Sequence, residues 1–292
     1  MTAKGSGTGE GRGRSVLVTG CSSGIGRETA LALARRGSTV FATVRKESDA
    51  EALRKLGLPG LVPVCPVDLS DLDQVGRAVE FVSGEIGRRG GQGLWAVVNN
   101  AGGGGPAPVE LLELRRFEIE LKARLLGPVA LVQGALPLLR QAGGRIVWVM
   151  TPALIPTPYV ATIHACDFAG NCLARTLDIE LKSWRIPNIM VRCGGIKTPA
   201  GMKTVTDVEA LLETGPPARV ALYEQALRKW AEDMAAFDAK RSDASVVAEV
   251  VVRAVEARRP KRRYSVGHMA RAAAFLEALP QSVADRILKS RF

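Results

Sequence analysis

Residues 18–37 read VTGCSSGIGRETALALARRG and carry the strongest indication of the fold in this chain. A short apolar run leads into three glycines, Gly20, Gly24 and Gly26, and a helical pattern follows them. Glycines between a strand and a helix let the backbone turn tightly and approach a pyrophosphate, whose charge the free N–H groups and the helix dipole favour. The stretch therefore predicts a dinucleotide-binding βα unit.

Short β-branched runs alternate with helical patterns over most of the chain. This alternation predicts an α/β fold in which right-handed crossovers build a Rossmann-type, doubly wound parallel sheet. Residues 1–14 are predicted to be a flexible segment and residues 15–292 a single domain. Strands are expected to begin at Ser15, Thr39, Leu61, Leu94, Arg145 and Asn188, with helices over residues 24–36, 50–56, 71–87, 108–140 and 158–184.

After Thr198 the βα rhythm ends. Residues 199–240 have a helical pattern that Gly215 and two following prolines interrupt, and they are interpreted as a lid over a substrate. An amphipathic helix, a short strand at YSVG and another apolar helix follow. Apolar helical cover of this kind favours a lipophilic small-molecule substrate.

Composition excludes several classes of protein. The chain has 292 residues, 47% of them apolar, and a net charge of +11. Its five cysteines are never spaced as CxxC, so no metal site and no disulfide framework is predicted. No apolar run is long enough for a transmembrane segment and no signal peptide is recognisable, so the expected location is cytoplasmic.

The basic residues are spread along the chain, which disfavours nucleic acid as a partner. One dense run, RRPKRRY at residues 258–264, is interpreted as a solvated loop between a helix and a strand.

The end of the second strand bears on cofactor choice. It reads FATVRK, with Val44 and Arg45 where an acidic residue would accept the ribose hydroxyls of NAD. Because an arginine can pair with a 2′-phosphate, NADP(H) is predicted in preference to NAD(H).

Several motifs together resemble the short-chain dehydrogenase/reductase family: TGxxxGIG, NNAG at residues 99–102, Asp68-Leu69 after the third strand, and IKTP at residues 196–199. FATVRK, LGLPGLVPVCPVDLSD and GLWAVVNNAG are similar to its retinol, hydroxysteroid and hydroxybutyrate dehydrogenase branch. The resemblance implies a nicotinamide cofactor and a homodimer or homotetramer built on two long helices. With the strand–turn–helix motif and Arg45, the predicted cofactor-binding residues are Gly20, Cys21, Ser22, Ser23, Gly24, Ile25, Gly26, Arg45, Asp68, Leu69, Asn99, Ala101, Gly102, Ile196 and Thr198.

The family's hydride chemistry uses an asparagine, a serine and a Tyr-x-x-x-Lys pair, in which the lysine charge lowers the pKa of the phenol. When the chain is aligned on LARTLDIEL, residues 173–181, Ile163 takes the place of the tyrosine and Asp167 that of the lysine. Arg124 takes the place of the asparagine. The resemblance thus implies a site without the family's proton relay.

Two further consequences follow from this alignment. Thr151 takes the serine position, or Met150 if the loop has no deletion. In the family the asparagine and lysine positions face each other, so Arg124 and Asp167 are predicted to form a partly buried ion pair.

Thr157 and Pro158 are predicted to be the N-cap and first residue of the next helix, which places Tyr159 in its first turn. A spacing of four would then put Tyr159, Ile163 and Asp167 on one face. His164 is either a general base oriented by Asp167 or a histidine packed at a helix interface. The candidate catalytic residues are Arg124, Thr151, Tyr159, His164 and Asp167.

Three functions remain open from the sequence. The leading hypothesis is an NADP(H)-binding enzyme that catalyses a redox-neutral cyclisation, isomerisation or elimination on an apolar molecule. The second is a carbonyl reductase or alcohol dehydrogenase that uses Tyr159 or His164 as proton donor. The third is a non-catalytic scaffold for a related reductase.

Overall fold

The structure is a computed structural model that describes residues 13–290. Apart from Gly13 and Arg14, the predicted N-terminal segment 1–14 lies outside the described residues.

Seven parallel strands form the central sheet in the order β3-β2-β1-β4-β5-β6-β9. The strand order reverses between β1 and β4, which is the switch point where ligands bind in open α/β sheets. The predicted doubly wound fold is therefore confirmed. The sheet strands are β1 Ser15–Val18, β2 Thr39–Thr43, β3 Leu61–Val64, β4 Ala96–Asn99, β5 Arg145–Met150, β6 Asn188–Cys193 and β9 Arg263–Val266.

Two further strands, β7 Ile196–Lys197 and β8 Ser242–Asp243, pair with each other beyond the end of β6. The helices are α1 Gly24–Arg35, α2 Glu47–Arg54, α3 Leu72–Arg88, α4 Leu114–Leu121, α5 Gly127–Ala142, α6 Ala161–Glu180, α7 Thr204–Thr214, α8 Pro217–Asp238, α9 Ala244–Glu256, α10 Ala270–Glu277 and α11 Gln281–Lys289.

The core has two layers, one on each face of the sheet. Successive side chains of a strand point to opposite faces. Val16 and Val18 accordingly pack in one buried cluster with residues of α1 and α9, whereas Leu17 packs in the other with residues of α3 and α5. Burial on both faces explains why the strands are almost continuously apolar.

The helix predicted over residues 108–140 is divided in the structure. A 3₁₀ turn at Val109–Leu111 precedes α4, and a π-helical turn, Lys122–Leu126, joins α4 to α5. Pro128 has no N–H to donate to the carbonyl of Arg124, so a regular α-helical hydrogen bond cannot form there. Arg124 lies within this π-helical turn.

The helix predicted to begin at Pro158 begins instead at Ala161, and Val160 precedes it without a side-chain cap. Tyr159 lies outside the helix with a left-handed φ of 66°. Its carbonyl accepts a hydrogen bond from the Ala107 N–H at 2.7 Å, and its ring packs edge-on against Trp230 of α8 at 5.6 Å. These tertiary contacts outweigh the local capping signal, so the prediction was wrong for Tyr159, whereas Ile163 and Asp167 lie four residues apart in α6 as predicted.

The segment after β6 is helical and broken near Gly215, as predicted, with α7 and α8 packed against each other around Val208 and Leu227. Residues 257–262 form a largely exposed loop between α9 and β9, in agreement with the interpretation of the basic run. None of the helices described is both long enough and apolar enough to span a bilayer.

Candidate functional site

The loop between β1 and α1 forms a cradle with no room for side chains. Gly20 and Gly24 have φ values of 71° and 58°, which side-chain-bearing residues rarely adopt. A Cβ at Gly26 would lie 2.2 Å from the Gly20 carbonyl oxygen, and one at Gly20 would lie 2.9 Å from Ala101 Cα. The loop opens onto the N-terminus of α1, whose first turn holds no acidic residue. This arrangement is suited to an anionic phosphate group.

Hydrogen bonds lock the ends of β1 and β4 together beside this cradle. The N–H groups of Asn100 and Ala101 donate to Thr19 Oγ1 at 2.9 and 3.0 Å, and Asn100 Nδ2 donates to the Thr19 carbonyl at 2.9 Å. The neighbouring Asn99 is only 5% exposed, yet neither its amide nitrogen nor its amide oxygen has a partner within residues 13–290. Because buried amides are normally hydrogen-bonded, the Asn99 amide is available to a polar ligand at this position.

Of the predicted cofactor residues, some expose their side chains at this edge of the sheet. Ser22 and Ser23 are exposed in the loop, and Thr198 approaches Gly24, where a Cβ would lie 3.1 Å from Thr198 Cγ2. Arg45 is exposed after β2 and forms no ion pair with any described residue. Asp68 accepts hydrogen bonds from the N–H and hydroxyl of Ser70 at 2.9 and 2.7 Å.

Other predicted cofactor residues belong to the core. Cys21 is fully buried, its thiol donates to the Val18 carbonyl at 3.2 Å, and burial raises the pKa of that thiol well above its usual range. Because the Cys21 N–H also bonds to the Thr43 carbonyl, Cys21 supports the loop and offers a ligand neither group. Leu69 and Ile196 are each 4% exposed, so their side chains pack in the core, while Ile25 is partly buried against it.

Two of the candidate catalytic residues, Arg124 and Asp167, form an ion pair. Arg124 Nη2 lies 2.6 Å from Asp167 Oδ1, and the two side chains are 13% and 10% exposed. Arg124 Nη1 also donates to the Gly103 carbonyl at 2.8 Å, and Asp167 Oδ2 accepts from the Thr151 N–H at 2.8 Å. The predicted ion pair is confirmed, and it connects the loops after β4 and β5 to α6.

The ion pair and Asn99 line the same small cavity, together with Asn100, Ala101, Gly102, Met150 and Cys166. Gly102 is close to the guanidinium, since a Cβ there would lie 2.5 Å from Arg124 Nη1. The unpaired amide and the charged pair therefore border one space.

Next to this space the structure places Ile163 and a carboxylate that the sequence did not suggest. A Cβ at Gly104 would lie 2.8 Å from Ile163 Cγ1 and 2.9 Å from Glu120 Oε2, so the two side chains meet over this glycine. Glu120 Oε2 is buried and has no partner among the described residues. Glu120 stands in the charged segment RRFEIELK of α4, where nothing distinguishes it from surface glutamates.

The remaining candidates lie in different surroundings. His164 stacks on Phe168 with ring centroids 5.6 Å apart, and burial lowers its pKa against the opposing effect of the Asp167 carboxylate. His164 is therefore neutral near pH 7. Thr151 Oγ1 is buried without a partner in the described part of the chain, whereas Tyr159 faces the α7–α8 segment.

Comparison with known proteins defines the class of this chain. The defining pattern of the family described as short chain dehydrogenase matches residues 14–209, and the chain belongs to that family. It is 30% identical to 11-beta-hydroxysteroid dehydrogenase type 2 of Bos taurus, covering 96% of this chain and 70% of that protein. It is 29% identical to retinol dehydrogenase 7 of Rattus norvegicus, covering 86% of this chain and 80% of that protein. These relatives confirm the predicted likeness to hydroxysteroid and retinol dehydrogenases.

Solved structures agree on the fold. A short-chain dehydrogenase from Streptomyces avermitilis superposes with a TM-score of 0.72 at 20% identity, covering 96% of this chain and 97% of that one. A short chain dehydrogenase from Burkholderia cenocepacia, solved in complex with NADP, superposes with a TM-score of 0.71 at 23% identity, covering 96% and 98%.

The ion pair predicts a clear stability pattern. Asp167→Ala leaves the guanidinium of Arg124 without its carboxylate, so the free energy of unfolding should fall by about 3 to 5 kcal/mol. The double variant Arg124→Met/Asp167→Leu removes both charges and should recover a large part of this loss. Urea unfolding followed by circular dichroism measures both effects.

A matched control is Glu118→Ala, which breaks the exposed pair of Glu118 with Lys122. Its cost should stay below about 1 kcal/mol. Equal costs for Asp167→Ala and Glu118→Ala would contradict the structural importance of the buried pair.

Proposed function

We propose that this chain binds a nicotinamide dinucleotide, NADP(H) in preference to NAD(H), at the carboxyl edge of its sheet. Three observations support this: the glycine cradle at Gly20–Gly26, the unpaired buried amide of Asn99, and the free guanidinium of Arg45. The complex of the Burkholderia cenocepacia relative with NADP is consistent with it. The cradle would hold the pyrophosphate and Arg45 a 2′-phosphate. When bound, this cofactor supplies hydride transfer.

We further propose that the family's Asn, Ser, Tyr and Lys are replaced here by Arg124, Thr151, Ile163 and Asp167, and that the enzyme catalyses a redox-neutral reaction. The observation that carries this proposal is the Arg124–Asp167 ion pair. Its positive charge is already neutralised, and α6 contains neither a tyrosine nor a lysine. An isoleucine side chain cannot exchange a proton with a substrate oxygen.

The reaction class follows from what the side chains can do. The Glu120 carboxylate and the neutral His164 imidazole can each accept a proton from a carbon acid and return it elsewhere. Such a transfer suffices for an isomerisation, a cyclisation or an elimination, and none of these needs an oxidant. The ion pair and Thr151 would fix the shape of the pocket around a lipophilic molecule. Helices α7 and α8 pack around an apolar cluster that includes Trp230 and Tyr159, which supports the proposal that they form a lid over that pocket.

A carbonyl reductase or alcohol dehydrogenase is the second candidate. The dehydrogenase names of the relatives favour it, and Glu120 beside Ile163 offers a proton donor in place of the phenol. Loss of the family's acid should slow such an enzyme by about 10² to 10⁴.

We also propose a homodimer or homotetramer in the cytoplasm. Exposed apolar side chains on the long helical segments support self-association, since Leu114, Leu126 and Ile179 are 76%, 49% and 76% exposed. The five free cysteines fit a reducing compartment.

The reaction class is tested by incubating the purified protein with NADPH and a panel of lipophilic ketones and alcohols. The expected result is binding, seen in cofactor fluorescence, without a decrease in absorbance at the reduced nicotinamide band. Steady oxidation of NADPH would establish the reductase instead. Failure to bind NADPH would contradict the proposed cofactor and favour a non-catalytic scaffold.

The choice of cofactor depends on Arg45. Arg45→Gln should weaken NADPH binding by about 10-fold to 100-fold, because a charge-assisted contact with the 2′-phosphate is lost. NADH binding should change little, and Arg253→Gln, which alters an exposed arginine of α9 away from the glycine cradle, serves as the control. Fluorescence titration measures all three, and tighter binding of NADH than NADPH by the unaltered protein would contradict the preference.

A further inference from the structure

The amino edge of the sheet, opposite to the candidate site, carries a basic surface that the proposed function does not use. The loop between α9 and β9 and the first residue of β9 hold five exposed basic residues in six positions, Arg258, Arg259, Lys261, Arg262 and Arg263. The dipole of α9 favours cations close to its last turn. Because the five basic residues extend well beyond the end of α9, the dipole does not explain the whole run.

Neighbouring loops extend this surface. β6 pairs with β9 in a register that sets Met190 opposite Arg263, so the turn before β6 lies beside the basic loop. That turn exposes Lys182 and Arg185 on either side of Trp184, which is itself 49% exposed.

The end of α5 and the start of β5 also belong to this surface. The carbonyl of Ala257 accepts a hydrogen bond from Arg145 Nη1 at 2.7 Å, which ties the basic loop to the first residue of β5. Arg140, just before β5, lies with its guanidinium carbon 4.5 Å from the centre of the Trp184 ring. We call this surface the basic edge and define it by Arg140, Lys182, Arg185, Arg258, Arg259 and Lys261 around Trp184.

The charge of the basic edge is poorly compensated. None of its six cations pairs with a carboxylate of residues 13–290, whereas the adjacent Arg262 pairs with Asp178 and Arg263 with Glu277. By contrast, three other cations that precede strands are paired with carboxylates: Arg36 with Glu249 and Glu256, and Arg88 and Arg89 with Glu85. Glu180, exposed at the end of α6, is the acidic residue nearest in sequence to the turn that carries Trp184.

We propose that the basic edge docks on an anionic lipid surface. Clusters of lysine and arginine are attracted to anionic headgroups, and a tryptophan with one apolar ring and one polar N–H is suited to the membrane interface. Nucleic acid fits less well, because Arg140 covers one face of the Trp184 ring, the aromatic ring around which the basic edge is defined, and so hinders stacking on a base. Docking in this orientation leaves the glycine cradle and the lid on the side away from the membrane.

The test is co-sedimentation of the full chain with vesicles of phosphatidylcholine alone and with about one third phosphatidylserine. Binding is expected to the anionic vesicles only and should weaken as NaCl rises from about 0.1 to 0.5 M. The variant Arg258→Gln/Arg259→Gln/Lys261→Gln should bind at least about tenfold more weakly. The control Arg219→Gln/Lys229→Gln/Lys240→Gln removes the same charge from exposed positions in and just after α8 and should bind like the unaltered protein.

Trp184 gives a second, local readout. Brominated lipid in the anionic vesicles should quench part of the tryptophan fluorescence, and Trp184→Phe should remove most of that quenching, since Trp95, the other tryptophan at this edge, is less exposed. Equal loss of vesicle binding in the two triple variants would show a non-specific charge effect and overturn the proposal. Binding to single-stranded RNA but not to vesicles would overturn it as well, by assigning the basic edge to nucleic acid.

Discussion

The site is organised around the ion pair between Arg124 and Asp167. Two charges that are only about one-tenth exposed need each other and further hydrogen bonds, and here the Gly103 carbonyl and the Thr151 N–H supply them. The pair therefore fixes the loops after β4 and β5 against α6. Arg124 itself lies in the π-helical turn before Pro128.

One part of the pocket keeps the family's sequence pattern, and we propose that the neighbouring part departs from it. The glycine cradle and the hydrogen bonds of Thr19 with Asn100 and Ala101 keep the switch point of the sheet ready for a phosphate-bearing ligand. The neighbouring region has Ile163, the Arg124–Asp167 ion pair and Glu120, whose buried Oε2 has no partner within residues 13–290. This contrast is the physical basis for proposing that binding is retained while the chemistry has changed.

The sequence predicted those features that depend on local geometry. The glycines of the first loop, the alternation of strands and helices, and the break at Gly215 all follow from backbone constraints that neighbouring residues express. The ion pair could be predicted for another reason, because the alignment with the family placed two opposite charges at facing positions.

Features that depend on tertiary contacts could not be predicted from the sequence. Tyr159 lies outside the helix because its carbonyl bonds to the Ala107 N–H and its ring packs against Trp230. Cys21 stands in the motif but its thiol turns into the core. Glu120 was missed because only the fold brings one glutamate of a charged helix next to Ile163 and Gly104.

If this pocket lacks only the family's proton relay, as we propose, restoring the four residues of that relay should restore reduction of a ketone. The measurement is the rate of NADPH oxidation with lipophilic ketones for the unaltered chain and for the variant Arg124→Asn/Thr151→Ser/Ile163→Tyr/Asp167→Lys. We expect no oxidation by the unaltered chain and measurable oxidation by the variant. Oxidation by the unaltered chain at a rate equal to or above that of a folded variant would contradict it.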